Sequence, residues 1–236
     1  MNASEAALFD DTLVGILETR LGELLRAERA NALTLEGRFE ISRITAALSG
    51  RPGPAPRAIL MAGLQGAGKT TLARSLEEVG FRRLCPDEEM FRRYGNYGRD
   101  FPRGEFLVRE APVLKDIALE VQQLLAAGHE VVVDHGFWTR EERAVWAATV
   151  MEAGGEPVLI YLPAPHELRW DRIQKRNAKS LVDPNSISFN EEDLLRHANR
   201  FEPPTADEPH LVYAGDTSAM VAALDRAAPR PDGGDH

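Results

Sequence analysis

One stretch of the sequence has both the residue types and the spacing to bind nucleotide phosphates. It consists of Gly63, Leu64, Gln65, Gly66, Ala67, Gly68, Lys69 and Thr70. The spacing fits the P-loop pattern G-x-x-x-x-G-K-[ST], in which glycines let the backbone turn its N–H groups toward an anion. A strand signal at 58–62 and helix signals after Thr70 argue against a chance glycine turn. We therefore expect ATP here, with Lys69 neutralising its outer phosphates and Thr70 ligating Mg²⁺.

Two aspartates stand at the ends of predicted strands. Asp87 follows the short strand predicted at 81–85, and Asp134 ends the apolar strand predicted at 130–134. Ligands of an open α/β sheet gather at the carboxyl ends of its strands, so both carboxylates are expected near the P-loop. Asp87 is a candidate catalytic base that contacts the acceptor, and the N-cap of a helix at 88–94 is its other candidate role. Asp134 is a candidate Mg²⁺ ligand that also borders the substrate.

Further candidate contacts with the acceptor lie in a loop and a turn. The loop at 94–104 mixes aromatic residues, glycines and arginines, and its candidates are Tyr94, Tyr97, Arg99 and Arg103. Long loops inside a compact domain are often binding loops, but a solvated surface loop has the same composition. In the turn after Asp134, Trp138 is expected either to stack on a substrate ring or to pack in the core. Thr139 is predicted to cap the next helix in a capping box with Glu142.

Basic residues recur on the helix predicted after the fourth strand. Arg169, Arg172 and Arg176 have the i, i+3, i+7 spacing that places side chains along one side of a helix. Such a stripe is usually a solvated face, but in a phosphoryl-transfer enzyme it would neutralise the transferring group. Beside a P-loop, the second interpretation predicts that Arg172 and Arg176 bind ATP and act in catalysis. The next segment, 177–190, has loop composition and is expected to be a mobile lid.

The order of predicted elements indicates one main domain with a helical extension. Leucines and isoleucines at helical spacing predict helices within residues 1–50, a candidate homodimer surface. A linker rich in proline and glycine at 51–56 precedes the P-loop domain, which is predicted over 57–227 with five strands alternating with helices. Residues 228–236 are predicted to be a disordered tail.

Composition restricts the partners. The formal net charge of −9 gives no overall attraction to nucleic acid or to an anionic membrane, although a local basic groove would be compatible with it. Cys85 is the single cysteine and cannot form an internal disulfide, so a reducing, cytoplasmic location is expected. The sequence contains neither an apolar run of about 20 residues nor the basic start of a signal peptide, and no membrane partner is expected.

Together, these residues resemble the small P-loop kinases grouped as the AAA_33 type, which include the kinase domain of phage polynucleotide kinase. At greater distance the chain is similar to chloramphenicol phosphotransferase, the zeta toxins, and gluconate and shikimate kinases. The resemblance covers about residues 57–227 and is carried by four stretches: 63–71, which includes Thr71 as a further nucleotide contact; 85–88; 132–137; and 172–177 with 200–204.

That resemblance implies a three-layer fold with a parallel sheet in the order 2-3-1-4-5. It also implies that Asp87 accepts the proton of the acceptor hydroxyl and that arginines of the lid helix bind ATP. Polynucleotide kinases repeat an arginine four positions after the one aligned with Arg176, whereas this chain has Ser180 there and Lys179 just before it. The binding of ATP by the lid therefore departs from the pattern of that family.

The sequence thus predicts an ATP- and Mg²⁺-dependent kinase acting on a hydroxyl of a small molecule such as a metabolite, sugar or antibiotic. Either Asp87 or Asp134 could be its base. One alternative is a nucleic-acid 5′-hydroxyl kinase, which would need a basic track to Asp87. The arginines that could form the track are Arg92, Arg93, Arg99, Arg103 and Arg109. Another alternative is a non-catalytic, nucleotide-dependent switch or interaction module whose N-terminal helices report the bound state.

Overall fold

A computed structural model of the chain describes residues 3–30, 32–48, 54–178 and 189–227. The chain divides into two compact units, one comprising Met1–Ala55 with Ser218–His236 and the other Pro56–Thr217. Most of the predicted lid (179–188), the predicted tail (228–236) and part of the linker (51–53) lie outside the described residues.

The larger unit is built on a five-stranded parallel sheet. Its strands are β1 (Arg57–Ala62), β2 (Arg82–Leu84), β3 (Val131–Val133), β4 (Glu156–Tyr161) and β5 (Leu211–Val212). They lie in the order β2-β3-β1-β4-β5, which confirms the order implied by the resemblance. β1 pairs with β3 on one side and β4 on the other, and all six of its residues are buried. Burial on both faces explains why this strand is a continuous apolar run after its first residue.

Helices alternate with these strands and cover the sheet. They are α3 (Lys69–Glu78), α4 (Pro86–Tyr94), α5 (Phe106–Ala126), α6 (Arg140–Glu152), α7 (His166–Asn177) and α8 (Glu191–Ala198). A short 3₁₀ turn, Arg103–Glu105, leads into α5. The stripe Val113, Ile117, Val121 and Leu125 on α5 packs with Leu60 and Val133 of the sheet into one apolar core. This core fixes the edge of the sheet at which the strands end.

A buried ion pair joins the start of β1 to the residue before β3. Arg57 and Glu130 are 2% and 0% exposed, and Arg57 Nη2 lies 2.7 Å from Glu130 Oε2. The Arg57 Nε and backbone N–H also donate to Glu130 Oε1, at 3.0 and 3.2 Å. These contacts satisfy two charges that would be costly to bury alone.

The smaller unit is helical, as the spacing of its leucines predicts. It contains α1 (Ala3–Arg29), α2 (Leu35–Leu48) and, from Ser218 onward, α9 (Thr217–Ala227). α1 and α2 pack through Leu24, Ile41 and Ile44, and Arg20 makes a bidentate ion pair with Glu40. Within the described ranges, no helix is both long enough and apolar enough to pass through a bilayer. The predicted homodimer through this unit stays a prediction.

Candidate active site

The P-loop connects β1 to α3. Gly66 and Gly68 have φ values of 78° and 109°, the left-handed region that glycine adopts without strain. Lys69 begins α3, and its ammonium donates hydrogen bonds to the carbonyl oxygens of Gly63 (2.9 Å) and Leu64 (3.1 Å). Burial lowers the pKa of Lys69 to about 8, although Asp134 and Asp87 oppose the shift. Phosphate groups near Lys69 would favour its charged form.

Close packing leaves room only for glycine at two positions of the site, Gly66 and Gly136. A Cβ on Gly66 would lie 2.7 Å from the carbonyl oxygen of Arg169 on α7. A Cβ on Gly136, in the turn after β3, would lie 3.0 Å from the carbonyl oxygen of Gly63 and 3.2 Å from Lys69 Cε. Gly136 therefore sets the space in which the lysine side chain lies, a role that its sequence context alone does not reveal.

Asp134 connects the P-loop to β2. It is 4% exposed, and its Oδ1 accepts a hydrogen bond from the Thr70 hydroxyl at 3.2 Å. Its Oδ2 accepts two from Arg83, at 2.6 and 3.0 Å from Nη2 and Nε. Arg83 also donates to both carboxylate oxygens of Glu88, at 2.8 and 3.2 Å. Burial opposes the charge of Arg83, but its hydrogen bonds to Glu88 and Asp134 outweigh burial and raise its pKa.

The oxygen atoms of Thr70 and Asp134 fit an Mg²⁺ ion. Mg²⁺ prefers hard oxygen ligands and completes its shell with phosphate oxygens and water, so one hydroxyl and one carboxylate from the protein are a sufficient set. Arg83 occupies Oδ2 of Asp134 and leaves Oδ1 on the side of Thr70. The role of Arg83 is missing from the sequence-based prediction because an arginine in a short strand near the sheet edge is usually solvated.

Asp87 lies in the first turn of α4, and the prediction that it caps this helix is wrong. The helix begins at Pro86, and Cys85 is the N-cap. Proline at the first helical position costs no hydrogen bond, which explains the earlier start. The half-buried Asp87 lines the same cleft as Lys69. Burial raises its pKa, while His135 and Lys69 oppose the rise. A raised pKa suits a carboxylate that accepts a proton near neutral pH.

The turn after β3 and the first turn of α6 add an imidazole and a carboxylate to the cleft. His135 Nε2 lies 3.4 Å from Glu142 Oε1, and the Trp138 N–H donates to Glu142 Oε2 at 2.9 Å. Thr139 caps α6 by accepting from the Glu142 N–H at 3.1 Å, so the predicted cap is present. The Glu142 side chain in turn accepts from the backbone N–H of Trp138, the residue before the cap. Burial would lower the pKa of His135, but the contact with Glu142 and the charges of Glu110 and Asp87 together outweigh burial and raise it.

Glu110 is a cleft residue that the sequence-based prediction missed. It lies on α5 one turn before Val113 and two turns before Ile117, both buried. Burial raises the pKa of Glu110 to about 7; Asp87 and Glu142 add to the rise, and His135 opposes it. An ionisable residue that continues the apolar stripe of a helix is the signal that would have revealed it.

Two of the three predicted arginines reach the cleft. Arg172 Nη1 donates to the carbonyl oxygens of Gly66 and Ala67, at 2.9 and 3.3 Å, and Arg176 lines the cleft beside it. Arg169 is 4% exposed, and its Nε donates to the Ala164 carbonyl oxygen. Arg169 therefore points into the protein, whereas Arg172 and Arg176 point toward the P-loop.

These residues surround one cleft of about 1350 Å³. The predicted contact residues that line this cleft are Gln65, Gly66, Ala67, Gly68, Lys69, Thr70, Thr71, Asp87, Tyr97, Asp134, Trp138, Arg172 and Arg176. Gly63 and Leu64 contribute through the carbonyl groups that hold Lys69.

The structure corrects two predicted acceptor contacts. Tyr94 packs against the apolar core, with its ring 6.2 Å from that of Phe101. Arg99 is exposed and paired with Asp100 at 2.9 Å, and neither Tyr94 nor Arg99 belongs to the described lining of the cleft. The side chain of Arg103 lies outside the described residues. Of the four loop candidates, Tyr97 alone is placed at the cleft by the described side chains.

The profile of the AAA_33 family, described as an AAA domain, matches residues 59–204. The chain belongs to the AAA_33 family. This match spans β1, the P-loop, both aspartates and the arginines of α7, and it confirms the resemblance drawn from the sequence. A search of the curated proteins returned no match.

Solved structures share the fold at low sequence identity. A candidate kinase from Chloroflexus aurantiacus has a TM-score of 0.61 and 20% identity over 75% of this chain and 100% of its own. Kti12 from Chaetomium thermophilum, solved with ADP-AlF3, has a TM-score of 0.54 and 14% identity, covering 74% and 100%. A gluconokinase from Sinorhizobium meliloti has a TM-score of 0.50 and 17% identity over 74% of this chain and 95% of its own. They establish that the larger unit of this AAA_33 protein has the P-loop kinase fold.

Proposed function

We propose that the chain is an ATP- and Mg²⁺-dependent kinase that transfers the γ-phosphoryl group to a hydroxyl of a small molecule. The observation that carries this proposal is the placement of Lys69 and Asp87 on one cleft, each affecting the pKa of the other. A phosphate-binding loop alone would suit any nucleotide-binding protein. A partly buried carboxylate facing that loop adds the group that a hydroxyl acceptor requires.

The residues divide the reaction among them. The acceptor oxygen forms a bond to the γ-phosphorus, the bond from that phosphorus to the β–γ bridging oxygen breaks, and ADP leaves. Asp87 orients the hydroxyl and receives its proton. Lys69, the P-loop N–H groups, Arg172 and Arg176 stabilise the negative charge of the transferring group. Thr70 and Asp134 would hold Mg²⁺, which when bound supplies positive charge at the β- and γ-phosphates.

Ion pairs near Asp87 argue against a nucleic-acid acceptor. Such an acceptor needs a track of cations free to contact phosphates. Within the described side chains, four of the five arginines that could form this track have a carboxylate partner. Arg92 and Arg93 pair with Glu89, and Arg93 also pairs with Asp116. Arg99 pairs with Asp100, and Arg109 with Glu105.

The experiment is ADP release from Mg·ATP, measured against a broad panel of hydroxylated metabolites, sugars and antibiotics. The proposal expects release that depends on the acceptor and is reduced by about 10²-fold or more in Lys69→Ala, because a positioned charge is lost from a water-poor site. ATP turnover that no acceptor stimulates, together with partner binding that depends on nucleotide, would favour the switch and contradict the proposal.

A further inference from the structure

Acidic residues cluster in the part of the cleft around Asp87. Three carboxylates line it, those of Asp87, Glu110 and Glu142, and His135 lies among them. Glu142 is engaged by His135 and by the Trp138 N–H. Within the described ranges, no ion pair involves Asp87 or Glu110. Among the described side chains, Asp87 and Glu110 thus open onto the cleft with no basic group in ion-pair contact, although the charges of Lys69 and Arg176 act on Asp87.

A second metal ion does not account for these carboxylates. In the part of the chain that the structure describes, no group of three or more histidine, cysteine, aspartate or glutamate residues is arranged to hold a metal ion. The cleft of about 1350 Å³ exceeds the range of about 300–1,000 Å³ that is typical of small-molecule clefts, so it has room for an organic acceptor beside a nucleotide.

Aromatic rings form the wall beside the carboxylates. Tyr97 and Phe106 line the cleft with ring centroids 5.0 Å apart, and Phe106 lies one helical turn before Glu110 on α5. Ring faces attract ammonium groups and pack against the C–H surfaces of sugars. The basic residues of the cleft have other contacts. Lys69, Arg172 and Arg176 contact or border the P-loop, although the charges of Lys69 and Arg176 also act on Asp87. Arg74 lies 3.9 Å from Glu88, and Arg196 pairs with Asp193.

Arg200 is a further cation that lines the cleft. Its guanidinium lies 5.9 Å from the centre of the Trp138 ring, and the side chain is exposed. The charged neighbours that shift the pKa of Glu110 are His135, Asp87 and Glu142.

We propose that the acceptor is an alcohol that also carries an ammonium group, as amino alcohols and amino sugars do, and that Glu110 binds this ammonium while Asp87 faces the hydroxyl. This inference rests on the proposed kinase function and narrows its acceptor. An ammonium group would relieve the repulsion among the three carboxylates, whereas a carboxylated, sulfated or phosphorylated acceptor would add to it. Burial is the main cause of the raised pKa of Glu110, about 7, and the charges of Asp87 and Glu142 add to the rise.

Matched acceptors that differ in one charged group test the inference. Suitable sets are glucosamine, glucose and glucuronate, and ethanolamine, ethylene glycol and glycolate. ADP release gives kcat/KM for each, and calorimetry with a non-hydrolysable ATP analogue gives binding without turnover. We expect at least one set in which the cationic member exceeds the neutral one by about 10-fold or more in kcat/KM, and in which the anionic member is the poorest. Two results would overturn the inference. One is that acceptors are used or bound equally well whatever their charge, and the other is that no cationic acceptor binds detectably.

Variants on α5 test the residue. Glu110→Gln keeps the shape and removes the charge, so it should lower kcat/KM for the cationic acceptor about 10- to 100-fold through KM and have a smaller effect on the neutral acceptor. Glu120→Gln is the control, since Glu120 is exposed on the same helix. If Glu110→Gln affects cationic and neutral acceptors equally, Glu110 has a structural role and its assignment as the ammonium-binding residue is overturned.

The two proposals fail in different ways. If anionic acceptors receive phosphate as readily as cationic ones, the kinase function stands and the charge preference falls. If ATP binds but no acceptor receives phosphate, the kinase function falls, and the calorimetric comparison of cationic, neutral and anionic ligands still decides the charge preference.

Discussion

The substitution Arg83→Met tests whether a buried ion pair holds the proposed magnesium ligand. Arg83 and Asp134 have side chains that are 7% and 2% exposed, and their closest atoms are 2.6 Å apart. Methionine fills much of the arginine volume but removes four hydrogen bonds, two to Asp134 and two to Glu88. Asp134 would then keep the Thr70 hydroxyl at 3.2 Å as its side-chain donor.

The expected cost follows from what stays buried. Breaking a buried pair by removing one partner typically costs about 3–5 kcal/mol, because the other charge is left uncompensated. Glu88 is 36% exposed and can be solvated, so most of this cost belongs to Asp134. The double variant Arg83→Met with Asp134→Asn removes the orphaned charge and should recover about half of the loss or more. Arg83→Met should also weaken Mg·ATP binding, since Asp134 loses its fixed orientation.

Denaturant unfolding without nucleotide measures the free energies of unfolding, and calorimetry measures the affinity for Mg·ATP. The matched control is Arg92→Met, which breaks a surface pair whose atoms are also 2.6 Å apart but whose arginine is 72% exposed. It should leave both quantities close to the parent values. A loss in Arg83→Met no larger than in Arg92→Met, with no coupling to Asp134→Asn, would refute the reasoning.

Three further predictions follow from the site. In Gly136→Ala the new Cβ would lie 3.2 Å from Lys69 Cε and 3.0 Å from a backbone oxygen, so kcat should fall about 10²-fold. Gly15→Ala is the control and should not change kcat, because its Cβ would have nothing within 4 Å. The folded state keeps the proton of Glu110 up to about pH 7 and the unfolded chain only to about 4.5, so stability falls as pH rises between these values and is constant above them. Glu110→Gln should remove this fall, so the free energy of unfolding of the variant relative to the parent should rise by about 1–3 kcal/mol between about pH 4.5 and about pH 7. A difference that is the same at all pH values would contradict the prediction. Arg172→Lys keeps the charge but loses the planar group that contacts the P-loop, so it should lower kcat without lowering the melting temperature, and equal losses of both would mark a structural residue.

The parts of the fold that depend on local pattern were predictable from the sequence. The P-loop is recognised by its glycines and lysine because a backbone cradle for phosphate allows few other residues. The positions of Asp87 and Asp134 were predictable because parallel strands place their carboxyl ends at one edge of the sheet. The strands themselves are shorter than predicted: β2 is Arg82–Leu84 and β3 is Val131–Val133.

Contacts between distant segments were not predictable in the same way. Tyr94 and Arg99 lie in a loop whose composition suits binding, packing and solvent equally, so only the fold separates them from Tyr97. Arg83 gains its role from Asp134, 51 positions away, and no local pattern records that pairing. Glu110 was overlooked because the helical spacing of α5 draws attention to its apolar residues rather than to the charged residue that continues their stripe.

In the proposed mechanism, Asp87 acts on the acceptor while Asp134 acts on the nucleotide and its metal. The most direct measurement is made on Asp87→Asn and Asp134→Asn together, with Mg·ATP affinity from calorimetry and phosphoryl transfer from labelled ATP. Asp87→Asn should keep stability and nucleotide affinity and lose transfer by about 10²-fold or more, because only the proton acceptor is removed. Asp134→Asn should weaken Mg²⁺-dependent binding itself. The two roles would be reversed, and the proposed mechanism contradicted, by the following pair of results. Asp87→Asn would transfer phosphate normally, and Asp134→Asn would bind Mg·ATP normally but transfer none.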